Sequence, residues 1–206
     1  PLLPILKKPI VAAFFIIEFI ILFSQAPFYS FYSNYLKFAG YSTTQIGFLW
    51  SVGVIAEIIM FNYANFFLNR FSWRNLVALC LIMTCIRFVL VGLFPNHFYI
   101  QFISQCFHSF SFGLFHIIAM RIILENFNAK LQGRGQALYS TMWGLGVASG
   151  SILAGQYWEK VSGEYIFIIA GCSSLMGLLF VNQKLIFVVL FCIFEHILNQ
   201  HHALYA

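Results

Sequence analysis

PIVAAFFIIEFIILFSQAPFYSFYSNYL, residues 9–36, carries one charged side chain, Glu18, in a run longer than the about 20 residues a helix needs to cross a bilayer core. Read outward from it, the chain repeats the pattern. Apolar stretches bounded by Lys, Arg, Asn, Pro or Gly extend from Pro9 to Leu36, Thr43 to Leu68, Leu76 to Phe94, Phe98 to Leu124, Gly135 to Trp158 and Tyr165 to Val181. They predict an all-α integral membrane protein with six transmembrane helices over residues 1–183. Residues 184–206 follow as a tail whose apolar run, LIFVVLFCIF, is too short to span. The tail reads as an extension of the sixth helix, an interfacial segment or a non-native end.

Composition gives the same solvent. Hydrophobic residues are 61% of the chain and charged residues 8%, against the roughly 25% of a water-soluble surface, so lipid must cover the chain. All six acidic residues are glutamates, which removes Asp-dependent triads and carboxylate-rich metal cages. The net charge of +5 includes no basic run longer than Lys7–Lys8, so nucleic acid is not an expected partner. The five cysteines lie in apolar stretches without metal-ligand spacing and read as packing residues. His201 and His202 stand without a carboxylate or Cys cluster, so no metal site is expected. Scattered histidines also argue against a membrane-embedded metal oxidase, and no cofactor is implied.

Basic residues stay on the cytoplasmic side of a membrane. Lys7, Lys8, Arg70, Arg74, Arg121, Lys130, Arg134 and Lys184 fall in alternate connecting segments, while Lys37 and Lys160 occupy the others. Both termini are therefore expected in the cytoplasm, with the loops near Gly40, Asn96 and Ser162 outside.

An ionisable group at bilayer depth is costly and is usually paired or functional. Glu57 lies twelve residues from Asn69, Arg87 twelve from Asn75 and His108 thirteen from Arg121. At 1.5 Å per residue these place the three side chains at a shared level, about 18–20 Å from the basic side. Adjoining helices would make them one Glu–Arg–His cluster, in which an imidazole can pass protons near neutrality. The alternative is a static Glu57–Arg87 pair that fixes helix register. In the first span Glu18, Gln25, Tyr29 and Tyr32 return to one helical face and read as a polar cavity lining, an interfacial Tyr belt being the other reading of the tyrosines. Pro27 frees the carbonyl of Phe23 and predicts a kink there. Trp50, Gly53 and Glu57 share a face of the second span, where Trp50 would stack on a ring-shaped substrate or pack in the core. His116, eight residues past His108, lies about 80° round an α-helix from it and reads as a satisfied core histidine. Gly146 and Gly150 form a GxxxG pair that permits close helix approach.

Three stretches carry a family resemblance: PFYSFYSNYLKFAGYSTTQIGFLWSVGVIAE (27–57), HSFSFGLFH (108–116) and LQGRGQALYSTMWGLGVASGSILAG (131–155). They resemble the major facilitator superfamily, in particular its phenylpropionate permease branch, related to the lactose permease group, over about residues 5–182. The loop NRFSWRN (69–75) departs from the superfamily's cytoplasmic loop motif in lacking its Gly and Asp. The resemblance implies the C-terminal six-helix half of a twelve-helix transporter, with an N-terminal six-helix half as its missing partner. It further implies alternating access, proton-coupled symport of an aromatic acid, another organic anion or a sugar, and a place in the cell inner (plasma) membrane. On this reading the chain is not an enzyme. Glu57 and His108 would couple the proton, Arg87 would anchor a substrate carboxylate, and Glu18, Gln25, Tyr29 and Trp50 would line the substrate site. The competing reading is a transport-incompetent fragment of a split or decayed permease gene.

Overall fold

A computed structural model describes residues 2–181; the tail after 183, with Lys184, His201 and His202, lies outside the described residues. A short turn, α1 (Leu3–Leu6), leads to α2 (Pro9–Phe38), which starts on Pro9, whose fixed φ suits a first helical position. Gly40, with φ 91°, turns the chain, and Ser42 opens α3 (Thr43–Asn62) through a capping box. The Ser42 hydroxyl accepts from the Gln45 amide at 3.3 Å, and the Gln45 side-chain oxygen accepts from the Ser42 amide at 2.9 Å. After α4 (Ala64–Arg70), Ser72 caps α5 (Trp73–Leu93) by accepting from the Asn75 amide. There follow α6 (Phe98–His108), a π-helical segment (Ser109–Leu114), α7 (Phe115–Asn126) and α8 (Gln132–Tyr157). Last come α9 (Gly163–Ser174), a 3₁₀ turn (Leu175–Gly177) and α10 (Leu178–Val181). The described residues contain no strand.

Among the described residues five helical stretches are long and apolar enough to cross a membrane: Pro9–Phe38, Thr43–Asn62, Trp73–Leu93, Phe98–Asn126 and Gly163–Val181. The 26 residues of α8 rise about 39 Å, longer than a hydrocarbon core, but their glycines and hydroxyl residues hold its hydropathy below that of the five. Local geometry departs from expectation in two places. The second expected span, Thr43–Leu68, is two helices, broken at Tyr63 (φ −94°, ψ 5°), where the Asn62 side-chain Nδ2 donates back to the Ile58 carbonyl at 2.9 Å and competes with the helical ladder. The fourth contains the π segment. Pro27 lies inside α2, whose helical assignment runs on to Phe38.

The helices α2 and α8 run in the same direction, side by side. A side chain added at Gly146 would meet the Phe19 carbonyl oxygen at 2.9 Å, and one at Gly150 would press on the Phe23 carbonyl, the group that Pro27 leaves without its helical donor. Around α2 and α8 pack α5 against α9, and α3 against α6 and the π segment. The apolar interior forms two clusters. One holds Val11, Phe14, Ile17, Ile21, Leu76, Cys80, Phe115 and Ile118. The other holds Phe28, Tyr32, Leu36, Leu49, Phe88, Val91 and Phe167. Along α2 and α5 the polar Gln25 and Thr84 fall between the two, and Arg87 adjoins the second. The outward face of α3 stays apolar, with Phe48, Val54, Ile55, Ile58 and Ile59 exposed, as lipid or a further apolar protein surface would require.

Candidate functional site

Four helices and the π segment bring their polar side chains to the boundary between the two apolar clusters. At its centre Arg87, on α5, is fully buried. Its Nη1 donates to Gln25 Oε1 on α2 at 3.3 Å, to Ser111 Oγ in the π segment at 3.1 Å and to His108 Nδ1 on α6 at 2.7 Å. A guanidinium only donates, so His108 Nδ1 accepts and the ring proton sits on Nε2. That nitrogen meets Glu57 Oε1, on α3, at 2.6 Å. The order is therefore Arg87–His108–Glu57, with the imidazole between the two charges. Among the described residues the ion pairs are His108–Glu57 and Arg121–Glu125; Glu57 and Arg87 form no direct pair. The Glu57 side chain is 15% exposed against 8% for that of His108, so the Glu57 end of the chain is the more open.

The π segment makes this arrangement possible. An α-helix would put His116 about 80° from His108. The wider π turn removes that offset: His108, Phe112 and His116 stack in a ladder, ring centroids 5.5 and 6.3 Å apart and both interplanar angles 13°. Within the same segment the Ser111 carbonyl accepts from Gln25 Nε2 at 3.0 Å. Gln25 thus touches both the backbone of the π segment and the guanidinium.

Aromatic rings cover the rest. Phe28 lies under the guanidinium at 4.0 Å and Phe88 at 4.9 Å, both in cation–π range. Trp50 packs on Phe28 at 4.6 Å and donates its indole N–H to Ser33 at 3.0 Å. Tyr29, half-buried, has its ring 5.6 Å from that of Phe28 and 6.2 Å from that of Trp143. Tyr32 donates to Gln101 at 3.2 Å. Beside these rings Arg87 Nε and Nη2 and both amide atoms of Gln105 are buried without a hydrogen-bond partner among the described residues.

Of the residues singled out in the sequence, Glu57, Arg87, His108 and Gln25 are joined by hydrogen bonds, while Trp50 and Tyr29 flank them through Phe28. Glu18 is elsewhere: two helical turns further along α2, fully buried, with neither carboxyl oxygen bonded. The sequence reading did not single out Phe28, Ser111, Gln101 or Gln105. A signal existed for the polar ones, since Gln101, Ser104, Gln105, His108 and Ser111 recur every three or four residues along α6 and into the π segment.

Residues 1–169 match the MFS_1 like family. Among curated proteins, the probable 3-phenylpropionic acid transporter of Escherichia coli (strain K12) is 29% identical over 148 residues, which are 71% of this chain and 38% of that protein. The chain thus spans well under half the length of this relative. No solved structure matches. With a match over most of its length, the chain belongs to the MFS_1 like family of the major facilitator superfamily, a family of membrane transporters.

Proposed function

We propose that the chain forms one six-helix wall of a proton-coupled symporter for a small organic anion of the aromatic-acid type, working by alternating access in the inner (plasma) membrane. The observation that carries this reading is the free edge of Arg87. Its Nη1 is consumed by the network, while Nε and Nη2, the pair that grips a carboxylate in bidentate fashion, have no partner. An aromatic set of Phe28, Tyr29 and Trp50 lies beside that edge, suited to the ring of an aromatic acid. A sugar would use hydroxyl contacts that this apolar wall supplies less well.

In this mechanism Glu57 carries the coupled proton, at the more open end of the chain of contacts. His108 links it to the guanidinium, so a change of charge at Glu57 alters the hold of Arg87 on the bound carboxylate. Gln25 fixes the guanidinium from the opposite side. All six long rods, α8 included, cross the bilayer, both termini are cytoplasmic, and a further six-helix half closes the cavity. Neither cofactor nor nucleic acid enters the cycle.

The test is uptake by the complete transporter containing this chain. Glu57→Gln keeps shape and hydrogen bonding but removes titration, so uphill accumulation should vanish while counterflow exchange of solute persists. Unimpaired accumulation would remove Glu57 from the mechanism. Glu57→Gln with Arg87→Gln separates coupling from pairing, because restored folding and accumulation in the double variant would leave the charges only a structural role.

A further inference from the structure

Glu18 stands outside the Arg87 network. It lies on α2 among Phe14, Ile17, Ile21 and Leu22, inside the larger apolar cluster, and is 0% exposed. Neither carboxyl oxygen has a hydrogen-bond partner. Ionised, the group lacks a donor; as an acid, its O–H lacks an acceptor. An unsatisfied polar group so enclosed costs about 1–3 kcal/mol, more when charged. A residue kept for packing alone would not need a carboxyl whose two forms are both incomplete.

The titratable and charged groups facing it come from four elements. On α8, which packs along α2, Tyr139 is 8% exposed and belongs to the same buried cluster as the Phe14, Ile17, Ile21 and Leu22 that enclose Glu18. The Tyr139 hydroxyl lies 2.9 Å from His116 Nδ1 on α7. His116 is half-buried, with Phe61 edge-on at 6.5 Å and Phe112 stacked on it, and Glu57 on α3 packs against Gly113, three residues before it. From α5 come buried Cys80 and Arg87, the latter engaged with Gln25, about 10 Å along α2 from Glu18 by the helical rise. The α10 helix, which also packs on α2, brings none.

We propose that Glu18, Tyr139 and His116 form a second proton-exchanging centre, separate from the Glu57–His108–Arg87 cluster, which passes a proton between the enclosed carboxyl and the half-exposed imidazole. The step starts with the Glu18 carboxyl swung to the Tyr139 hydroxyl and His116 carrying its proton on Nε2. The acid O–H of Glu18 breaks as its proton moves to the Tyr139 oxygen, and the original Tyr139 proton moves to His116 Nδ1. One O–H and one N–H form for two O–H bonds broken, leaving a carboxylate, an intact tyrosine and an imidazolium. His116 then gives up its Nε2 proton on its exposed side, and the reverse sequence loads Glu18. The centre is one apolar ring, Phe112, away from His108 along the ladder. The carboxyl end of the centre, Glu18, lies about 10 Å along α2 from Gln25 and so at a different depth from the Arg87 network.

Infrared difference spectroscopy of the full-length protein in lipid nanodiscs, titrated in pH and transferred from H2O to D2O, tests this without any solute. A protonated-carboxyl stretch should titrate in the wild type, persist in Glu57→Gln and disappear in Glu18→Gln. Tyr139→Phe keeps the ring, so the stretch should remain, but its deuterium exchange should slow at least tenfold. His116→Asn should slow it comparably. An unchanged spectrum in Glu18→Gln overturns the proposal, as does unchanged exchange in Tyr139→Phe, which decides alone if Glu18→Gln cannot be recovered folded. The readout is independent of transport: loss of the Glu18 signal in a working transporter sinks this centre, and an intact signal in a protein that moves no solute sinks the transport reading.

Discussion

At Arg87 one nitrogen is spent on structure and two donor nitrogens remain free, a division that lysine cannot reproduce. An ammonium substituted there would keep the charge and one or two of the Nη1 contacts but lose the planar second edge. Arg87→Lys is therefore expected to leave the protein folded and, in the complete transporter, to weaken binding of the proposed aromatic-acid substrate about 10–100-fold, the value of about 1.4–2.8 kcal/mol in charge-assisted hydrogen bonds. Trp50, packed on the Phe28 ring that underlies the guanidinium, gives a fluorescence titration to read it. Unchanged affinity would show that the free edge is not the carboxylate site. The common depth of Glu57, Arg87 and His108 was legible in the sequence, because counting residues from the charged ends needs only the helical rise. Their order was not. Rise fixes level and leaves azimuth open, so a Glu57–Arg87 contact was as compatible with the count as the observed chain through His108. Nor did counting separate Glu18 from Gln25: both lie on one face of α2, yet one meets the guanidinium and the other an apolar wall.

Helices were legible where their hydropathy was uniform and obscure where geometry departs from 3.6 residues per turn. The boundaries of α2 and α5 follow from charge and capping residues. The π segment carries no such mark in SFSFGL: Gln25 on α2 donates to its Ser111 carbonyl and Gly113 packs against Glu57 on α3, contacts that hydropathy does not register. The break at Tyr63 was missed for a related reason, because asparagine competition with the ladder is local and hydropathy does not register it. The glycine-rich α8 separates periodicity from composition. Gly146 and Gly150 face α2, whereas Gly144, two residues away, would place a side chain in open space. Gly150→Ala should thus force α8 off the Phe23 carbonyl and cost about 1–3 kcal/mol. Gly144→Ala should be neutral or stabilise by up to about 1 kcal/mol through helix propensity. Thermal unfolding in detergent decides between them, and equal melting temperatures for the two variants would refute the close α2–α8 contact.

On the scale of the whole molecule the polar chemistry is layered, and the meaning of each layer depends on which membrane face it is nearer. Lys7, Lys8, Arg70, Arg74, Arg121, Lys130 and Arg134 belong to one set of helix ends and Lys37 and Lys160 to the other. The first set is also tied structurally, since Arg121 donates to the Leu68 carbonyl at 2.8 Å and joins α7 to the end of α4. Basic residues are retained in the cytoplasm during insertion, so this end should face inward. Single cysteines placed at Asn96, between α5 and α6, and at Asn128, between α7 and α8, report the two ends separately, on a background in which the native cysteines, including exposed Cys172, are replaced by serine. In intact cells a membrane-impermeant maleimide should label Asn96→Cys and spare Asn128→Cys, and permeabilisation should equalise them. With that result the Glu57–His108–Arg87 layer, about 18–20 Å from the basic end, lies past the bilayer middle toward the outside. Glu18, two turns lower on α2, then lies on the inner side of it, so the two proposed proton centres would serve opposite faces. The reverse labelling pattern would overturn the inward termini and exchange those assignments, putting Glu57 nearest the cytoplasm and leaving Glu18 to meet the proton from outside.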